Sequence, residues 1–217
     1  MSNLVVIKPT AEHTATLIFL HGLTETGNIW ASKLKNIQPP FMKIICPTAE
    51  KIPMTFQNGY RMNSWFDVEK IGMHEPENEI GIELASKNVH NMIEDEIKLG
   101  TPSDRIILGG FSQGGALALY SFITFPKKIG GVALFSAWLP LHNYYPENFV
   151  ASKDTPLLMC HGKKDSLISF EWGTMTRDVL KSMVQDVNFI TYPQLIHEVC
   201  DQEIQELKSF IDRVLKT

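Results

Sequence analysis

Short apolar runs alternate along the chain with longer stretches in which apolar residues recur every three to four positions. The short runs predict strands at 4–7, 16–20, 43–46, 105–109, 131–136, 156–161 and 187–192. The longer stretches predict helices at 28–37, 77–97, 115–122, 170–184 and 198–215. Because the strand runs are apolar at consecutive positions, both faces of the strands should be buried. The pattern predicts an α/β fold with a mostly parallel central sheet and helices on both faces.

Two segments lack either period. Residues 47–76 contain Pro53 and several aromatic residues, and residues 137–155 carry Trp138 and two prolines. Long irregular segments inside a compact domain are usually functional, so we expect binding surfaces in both. No repeat, low-complexity tract or linker divides the sequence, and residues 1–217 are predicted to form a single domain.

The composition narrows the class of partner and the compartment. The chain has 217 residues, 44% of them hydrophobic, and a formal net charge of −4, which does not suggest a nucleic-acid partner. Its three cysteines show no C-x-x-C spacing, so we expect a reducing compartment and a cytoplasmic protein. We expect neither a signal peptide nor a transmembrane segment, and the composition leaves the oligomeric state open.

A G-x-S-x-G pentapeptide occupies residues 110–114, directly after a predicted strand and before a predicted helix. The serine of such a turn is the nucleophile of the α/β-hydrolase fold, in which strained backbone and close strand–helix contact require small neighbours. The structural alternative is a tight turn in which Ser112 only caps the helix. A phosphate-binding loop is excluded because no Gly-Lys-Ser/Thr follows. The setting favours Ser112 as a catalytic nucleophile.

An activated serine needs a histidine base, and the base needs an orienting acid. In α/β-hydrolases these groups follow strand ends in the chain order serine, acid, histidine. Asp165 follows the strand at 156–161 and His197 follows the strand at 187–192, so we predict that they are the acid and the base. The rivals set aside on position or order are Asp154, Asp178, Asp186, His13, His74, His90, His142 and His161, the last expected to be a buried, satisfied histidine.

Two backbone N–H groups are needed to stabilise the oxyanion of an acyl-transfer intermediate. One should come from Gln113, directly after the nucleophile, and the other from Leu23, in the loop that follows the strand at 16–20. For the His21-Gly22 pair before Leu23, the alternative is a simple turn at the end of a strand.

Several segments together resemble a known family. The chain is similar to the acyl-protein thioesterase and lysophospholipase family of small α/β-hydrolases, close to cytosolic carboxylesterases. The Gly-Phe-Ser-Gln-Gly-Gly sequence at 110–115 is the specific match. The supporting matches, spread over the whole chain, lie at 17–23, 64–67, 138–140, 161–165 and His197.

The resemblance implies hydrolysis of S-palmitoyl cysteines on proteins, of lysophospholipids and of simple esters. It implies Ser112, Asp165 and His197 as the catalytic triad, Leu23 and Gln113 as oxyanion donors, and no metal or organic cofactor. The partners it implies are acyl thioester or ester substrates, with transient contact to a membrane surface.

The chain departs from the family pattern at three places. Thr24-Glu25 stands where the family usually has Gly-Asp, and Lys163-Lys164 adds positive charge before the acid. Glu198 follows His197 where the depalmitoylating branch usually has Ser. This feature is more similar to the lysophospholipase-like branch, which favours short acyl chains. The 136–140 segment is instead similar to the thioesterase branch, so both substrate readings stay open.

Preference for acyl-chain length must come from apolar surface beside Ser112. The residues expected to supply it are Trp65, Phe66, Ile71, Trp138, Leu139 and Leu167. The alternative is that Trp65 and Trp138 only cover the core.

Three classes of function compete: a serine thioesterase or carboxylesterase, a serine peptidase, and a binding module that has lost catalysis. The first is favoured because no triad member is missing and no peptidase specificity domain is visible.

Overall fold

Nine strands and five helices make up the computed structural model, which describes residues 3–215. The strands are β1 (Asn3–Ile7), β2 (Ala15–Leu20), β3 (Met42–Thr48), β4 (Lys51–Met54), β5 (Tyr60–Asn63), β6 (Ile106–Phe111), β7 (Gly131–Phe135), β8 (Leu157–Gly162) and β9 (Val187–Tyr192). The helices are α1 (Gly27–Leu34), α2 (Glu79–Lys98), α3 (Ser112–Ile123), α4 (Phe170–Met183) and α5 (Asp201–Leu215).

Seven strands form one sheet in the order β1-β3-β2-β6-β7-β8-β9. β1 pairs antiparallel with β3, and the other neighbours pair parallel. Parallel strands bring their carboxyl ends to one edge of a sheet, so the loops after β2, β6, β8 and β9 meet there. The predicted mostly parallel sheet is confirmed.

Two hydrophobic clusters cover the two faces of this sheet. Alternate residues of β2 belong to opposite clusters, with Leu17 in one and Ile18 in the other. The same alternation explains why the central strands read as continuous apolar runs, because neither face is left to solvent. Helices α2, α3 and α4 pack on one face, and α1 and α5 on the other. The predicted layers on both faces are confirmed.

Helix starts differ from the sequence predictions where a loop has another task. The first helix, predicted at 28–37, begins at Gly27 with Thr26 at the capping position and ends at Leu34. α3 begins at Ser112 rather than at residue 115, because the nucleophile turn passes straight into the helix. α5 begins at Asp201 rather than 198, because Glu203 accepts a hydrogen bond from Cys200 N (3.0 Å) and fixes the first turn there.

The segment at 47–76, predicted to be irregular, contains a hairpin of β4 and β5. Its strands have only four residues each, and β4 contains Pro53, a residue that argues against a strand, so the sequence does not mark the hairpin clearly. No helix within residues 3–215 is both long and apolar enough to cross a membrane.

Candidate active site

Ser112 lies at the turn between β6 and α3, with a φ of +52°, a left-handed conformation that side chains rarely adopt. Two flanking glycines make this turn possible. A Cβ at Gly110 would lie 2.5 Å from the Gly114 carbonyl carbon and oxygen, and a Cβ at Gly114 would collide with the carbonyl oxygens of Leu20 and His21. The close approach of strand and helix therefore requires glycine at both positions.

A chain of two hydrogen bonds joins the serine to a histidine and an acid. His197 Nε2 lies 2.9 Å from Ser112 Oγ, and His197 Nδ1 lies 2.8 Å from Asp165 Oδ2. A carboxylate can only accept, so Nδ1 carries the proton and Nε2 is free to accept one from the hydroxyl. Ser112 and Asp165 are buried, 6% and 5% exposed, whereas His197 is half-buried.

Asp165 is held in the ionised form by its surroundings. Burial by itself raises the pKa of its carboxyl, but the hydrogen bond and charge of His197 and the N–H groups of Ile168 and Leu167 lower the pKa below its ordinary value. Those two N–H groups donate to Oδ1 at 2.9 and 3.0 Å, which leaves Oδ2 for His197. The loop after β8 thus orients the acid as well as supplying it.

His161, expected to be a buried and satisfied histidine, lies beside the acid. It is 1% exposed, and its Nε2 donates to the Ile168 carbonyl oxygen at 2.8 Å. Burial lowers the pKa of His161, against the opposing effects of the Ile168 carbonyl and Asp165, so the ring is neutral. Two of the rival acids have partners elsewhere, since Asp178 pairs with Arg177 and Asp186 with Arg213 at the surface.

Gln113, the residue after the serine, uses its side chain to hold a neighbouring loop. Its Nε2 donates to the Phe66 carbonyl oxygen at 2.8 Å, and its Oε1 accepts from the N–H of Trp65 at 3.1 Å. A third hydrogen bond joins it to Ser64 Oγ. The side chain is therefore fully engaged with the 64–66 segment, and the backbone N–H of Gln113 stays the predicted oxyanion donor.

The loop after β2 carries Leu23, which lines the same cavity as Ser112 and Gln113. Glu25 fixes this loop, because its Oε2 accepts from Gly22 N and from Trp30 Nε1, both at 2.8 Å. Thr24, between Leu23 and Glu25 in the sequence, has a φ of +70°, and its backbone N–H donates to the Asn63 carbonyl oxygen at 2.9 Å. The Thr24-Glu25 departure from the family pattern is thus a strained residue next to a well-bonded one.

A narrow cavity opens beside Ser112. Its volume is about 50 Å³. Four of the six residues predicted to bind the acyl chain line it, namely Phe66, Ile71, Trp138 and Leu167.

Trp65 and Leu139, predicted to line this cavity, lie outside it. Trp65 donates from Nε1 to the His21 carbonyl oxygen at 2.7 Å, and its ring packs on the His21 imidazole with centroids 4.8 Å apart. Leu139 is fully buried in the core, and its N–H donates to Thr176 Oγ1 at 2.9 Å. The indole hydrogen bond holds Trp65 at His21, and the Leu139 side chain packs in the core instead of the cavity.

Trp172 and Glu77 are among the lining residues that the sequence analysis missed. Trp172, on α4, packs against Trp138 with ring centroids 4.9 Å apart and the ring planes tilted by 35°. Glu77 accepts from Trp138 Nε1 at Oε1 (2.9 Å) and from the N–H of Leu141 at Oε2 (2.6 Å). Burial raises the pKa of Glu77, against the opposing effects of Trp138, Leu141 and His142. No sequence pattern distinguishes such a carboxylate from the solvated acids around it.

Within the part of the chain that the structure describes, no three His, Cys, Asp or Glu side chains are grouped so that they could hold a metal ion.

Known proteins resemble this chain over nearly its whole length. A family model described as phospholipase/carboxylesterase matches residues 1–215. The acyl-protein thioesterase 1 of Neurospora crassa is 37% identical over 219 residues, which cover 95% of this chain and 89% of that protein. The acyl-protein thioesterase 1 of Gibberella zeae is 36% identical over 223 residues, which cover 97% of this chain and 95% of that protein.

Solved structures show the same architecture. Acyl-protein thioesterase 2 of Zea mays matches with a TM-score of 0.89 at 29% identity, over 99% of this chain and 100% of that one. SOBER1 of Arabidopsis thaliana matches with a TM-score of 0.87 at 32% identity, over 93% of this chain and 99% of that one. The predicted α/β-hydrolase fold is confirmed.

Proposed function

The chain belongs to the phospholipase/carboxylesterase family, and from that premise we propose that it cleaves acyl thioesters and esters through Ser112, His197 and Asp165. The observation that carries the proposal is the pair of contacts from Ser112 Oγ to His197 Nε2 (2.9 Å) and from His197 Nδ1 to Asp165 Oδ2 (2.8 Å). These atoms already have the hydrogen-bond geometry that nucleophilic catalysis needs.

In the first half of the reaction His197 takes the proton of Ser112 as the hydroxyl oxygen attacks the acyl carbonyl carbon. The backbone N–H groups of Gln113 and Leu23 stabilise the oxyanion. Asp165 stabilises the imidazolium. Collapse of the tetrahedral intermediate breaks the bond to the thiol or alcohol, which leaves with the proton of His197.

In the second half a water molecule attacks the acyl-enzyme and gives its proton to His197. The carboxylic acid is released and the Ser112 hydroxyl is restored. No residue is consumed, and the atoms of one water molecule are divided between the two products.

The proposed substrates are S-acylated proteins or lysophospholipids. The relatives named acyl-protein thioesterase 1 support this class, and the cavity beside Ser112 supports an acyl group because Phe66, Ile71, Trp138 and Leu167 line it. The second candidate is a short-chain carboxylesterase with no depalmitoylating role. It is favoured by the exposed Glu198 next to His197 and by the narrowness of the cavity.

An acyl-chain series decides between them. Purified protein is assayed with thioesters and oxyesters of the same alcohol or thiol, from acetyl to hexadecanoyl, with Ser112→Ala as the control for background hydrolysis. Each buried methylene is worth about 0.8 kcal/mol, so we expect kcat/KM to rise from acetyl to at least octanoyl. A maximum at two to four carbons would establish the short-chain candidate instead.

Two further measurements test the peptidase and binding-module hypotheses separately. Hydrolysis of peptide amides at rates comparable to esters would favour a peptidase. Absence of covalent labelling by a fluorophosphonate probe would favour a module without catalysis.

We also propose that the enzyme is a single-domain cytoplasmic protein with transient contact to a membrane surface. The free thiols of Cys46, Cys160 and Cys200 support a reducing compartment. Leu167, which lines the cavity and is 46% exposed, offers an apolar side chain to a lipid surface.

A further inference from the structure

Glu77 joins two segments that build the acyl cavity. It lies near the end of the segment at 64–78, which supplies Phe66 and Ile71, and both of its carboxylate oxygens accept hydrogen bonds from the segment at 137–141, which supplies Trp138. The two donors differ in kind, because one is the indole N–H of Trp138 and the other is the backbone N–H of Leu141. The carboxylate therefore fixes both a side chain and the main chain of the facing segment.

The same residue separates two spaces. Glu77 lines the cavity that contains Ser112, and Glu77 and Pro76 also line a neighbouring hollow of about 380 Å³. That hollow is bounded on its other sides by residues that include Met73, Leu141 and Tyr144. The hydrogen bonds from Trp138 and Leu141 to Glu77 thus lie in the partition between the acyl cavity and the hollow.

A carboxyl group is a poor wall for a growing alkyl chain. Methylene groups gain free energy against Phe66, Ile71 and Trp138, but a methylene pressed against the half-buried Glu77 carboxyl group excludes water from it and offers it no hydrogen bond in return. The tie to Trp138 and Leu141 also keeps the wall from moving aside.

On these grounds we propose that Glu77 is a specificity-determining residue that sets the longest acyl chain the cavity accepts. The inference rests on the proposed function, because it concerns the acyl group that Ser112 attacks. It assigns Glu77 a positioning role on Trp138 and Leu141 and no part in proton transfer.

Glu77→Gln tests the proposal with little change in size. An amide has one oxygen that accepts and one nitrogen that only donates, so it cannot satisfy both the Trp138 and Leu141 donors. The partition should loosen toward the hollow and lose its charge. We expect the chain length with the highest kcat/KM to increase by at least two carbons. Two further buried methylenes correspond to a rise of about tenfold in kcat/KM for the longer chain relative to the original optimum.

Glu79→Gln is the matched control. Glu79 is two residues away, carries the same charge, and accepts a hydrogen bond from Tyr144 Oη at 3.2 Å at the exposed surface. It lies outside the residues that line the acyl cavity. Its variant should keep the parent chain-length profile, and an equal shift in both variants would attribute the effect to surface charge and overturn the proposal.

The outcomes separate the proposal from its premise. A parent enzyme that hydrolyses no acyl ester or thioester of any length would remove the proposed function itself. If the parent is active and the Glu77→Gln variant folds, three results would overturn the role of Glu77 alone. They are an unchanged chain-length profile, a shift to shorter chains, and a fall in kcat/KM by the same factor at every length. If thermal unfolding shows that Glu77→Gln does not fold, Glu77→Asp keeps the charge but shortens the reach to Trp138 and Leu141, and it is judged by the same shift.

Discussion

Glu203, on the first turn of α5, places a carboxyl group inside the folded protein. Its side chain is fully buried, Oε2 accepts from Cys200 N at 3.0 Å, and Oε1 has no hydrogen-bond partner within residues 3–215. Burial raises the pKa of this carboxyl to about 7. The folded protein therefore holds a carboxylate that is harder to ionise than the same group in the unfolded chain.

The sign of the effect follows from the raised pKa. Below about pH 4.5 the group is protonated in both states and does not disfavour folding. Between that pH and about 7 the unfolded chain ionises first, so the free energy of unfolding falls, and above 7 the loss is constant. A difference of about 2.5 pKa units corresponds to roughly 3 kcal/mol, the upper limit of what the charge removes from stability.

Glu203→Gln isolates this contribution. Glutamine cannot ionise, and its amide oxygen can keep the hydrogen bond from Cys200 N, while its NH₂ group enters the site of the unpartnered Oε1 at a cost. We expect the variant to be more stable than the parent by about 1–3 kcal/mol at pH 8 and to lose most of that advantage by pH 4.5. Urea unfolding midpoints at the two pH values measure the difference.

Glu206→Gln on the same helix is the control, because Glu206 is only half-buried and its variant should show no comparable gain. Equal stability of Glu203→Gln and parent at pH 8, or an advantage that is the same at pH 4.5 and pH 8, would refute the burial argument.

Two further predictions concern the site. Asp165→Asn should lower kcat for ester hydrolysis by about 10⁴, because the amide cannot stabilise the imidazolium of His197. Asp178→Asn at the surface is the control and should leave ester hydrolysis unchanged. The reverse result would show that the acid is wrongly assigned. Thr24→Gly should raise the free energy of unfolding by about 0.5–1 kcal/mol, because glycine adopts a φ of +70° without the strain of a β-branched residue. Urea unfolding measures the change, and a loss of stability would show that the contacts of Thr24 outweigh that strain.

Strand positions and the nucleophile turn could be predicted from the sequence because both have a strong local signal. Leu17 and Ile18 face opposite hydrophobic layers, and a strand buried on both sides must be apolar at every position. The turn at Ser112 needs glycine at 110 and 114 for steric reasons, so the G-x-S-x-G pattern is visible in the sequence.

Side-chain direction and buried polar contacts could not be predicted in the same way. Trp65 and Phe66 are adjacent aromatic residues, yet only Phe66 lines the cavity beside Ser112. The indole N–H of Trp65 donates instead to the carbonyl oxygen of His21, the residue that follows β2. Glu77 and Glu203 look like ordinary surface acids in the sequence. The contacts of Glu77 come from a segment about sixty residues away, and Glu203 is buried only once α5 has packed in the folded protein. The catalytic roles of Ser112, Asp165 and His197 stay predictions until the variants are assayed.

The contacts of Gln113 determine where the acyl preference could be redesigned. Its side chain binds the main chain at Trp65 and Phe66, so exchanging Gln113 would disturb the nucleophile turn and the cavity wall together. Leu167 and Ile71 line the same cavity but are partly open to solvent. A library of variants aimed at new acyl groups should therefore tolerate diversity at Leu167 and Ile71 and lose most of its members at Gln113.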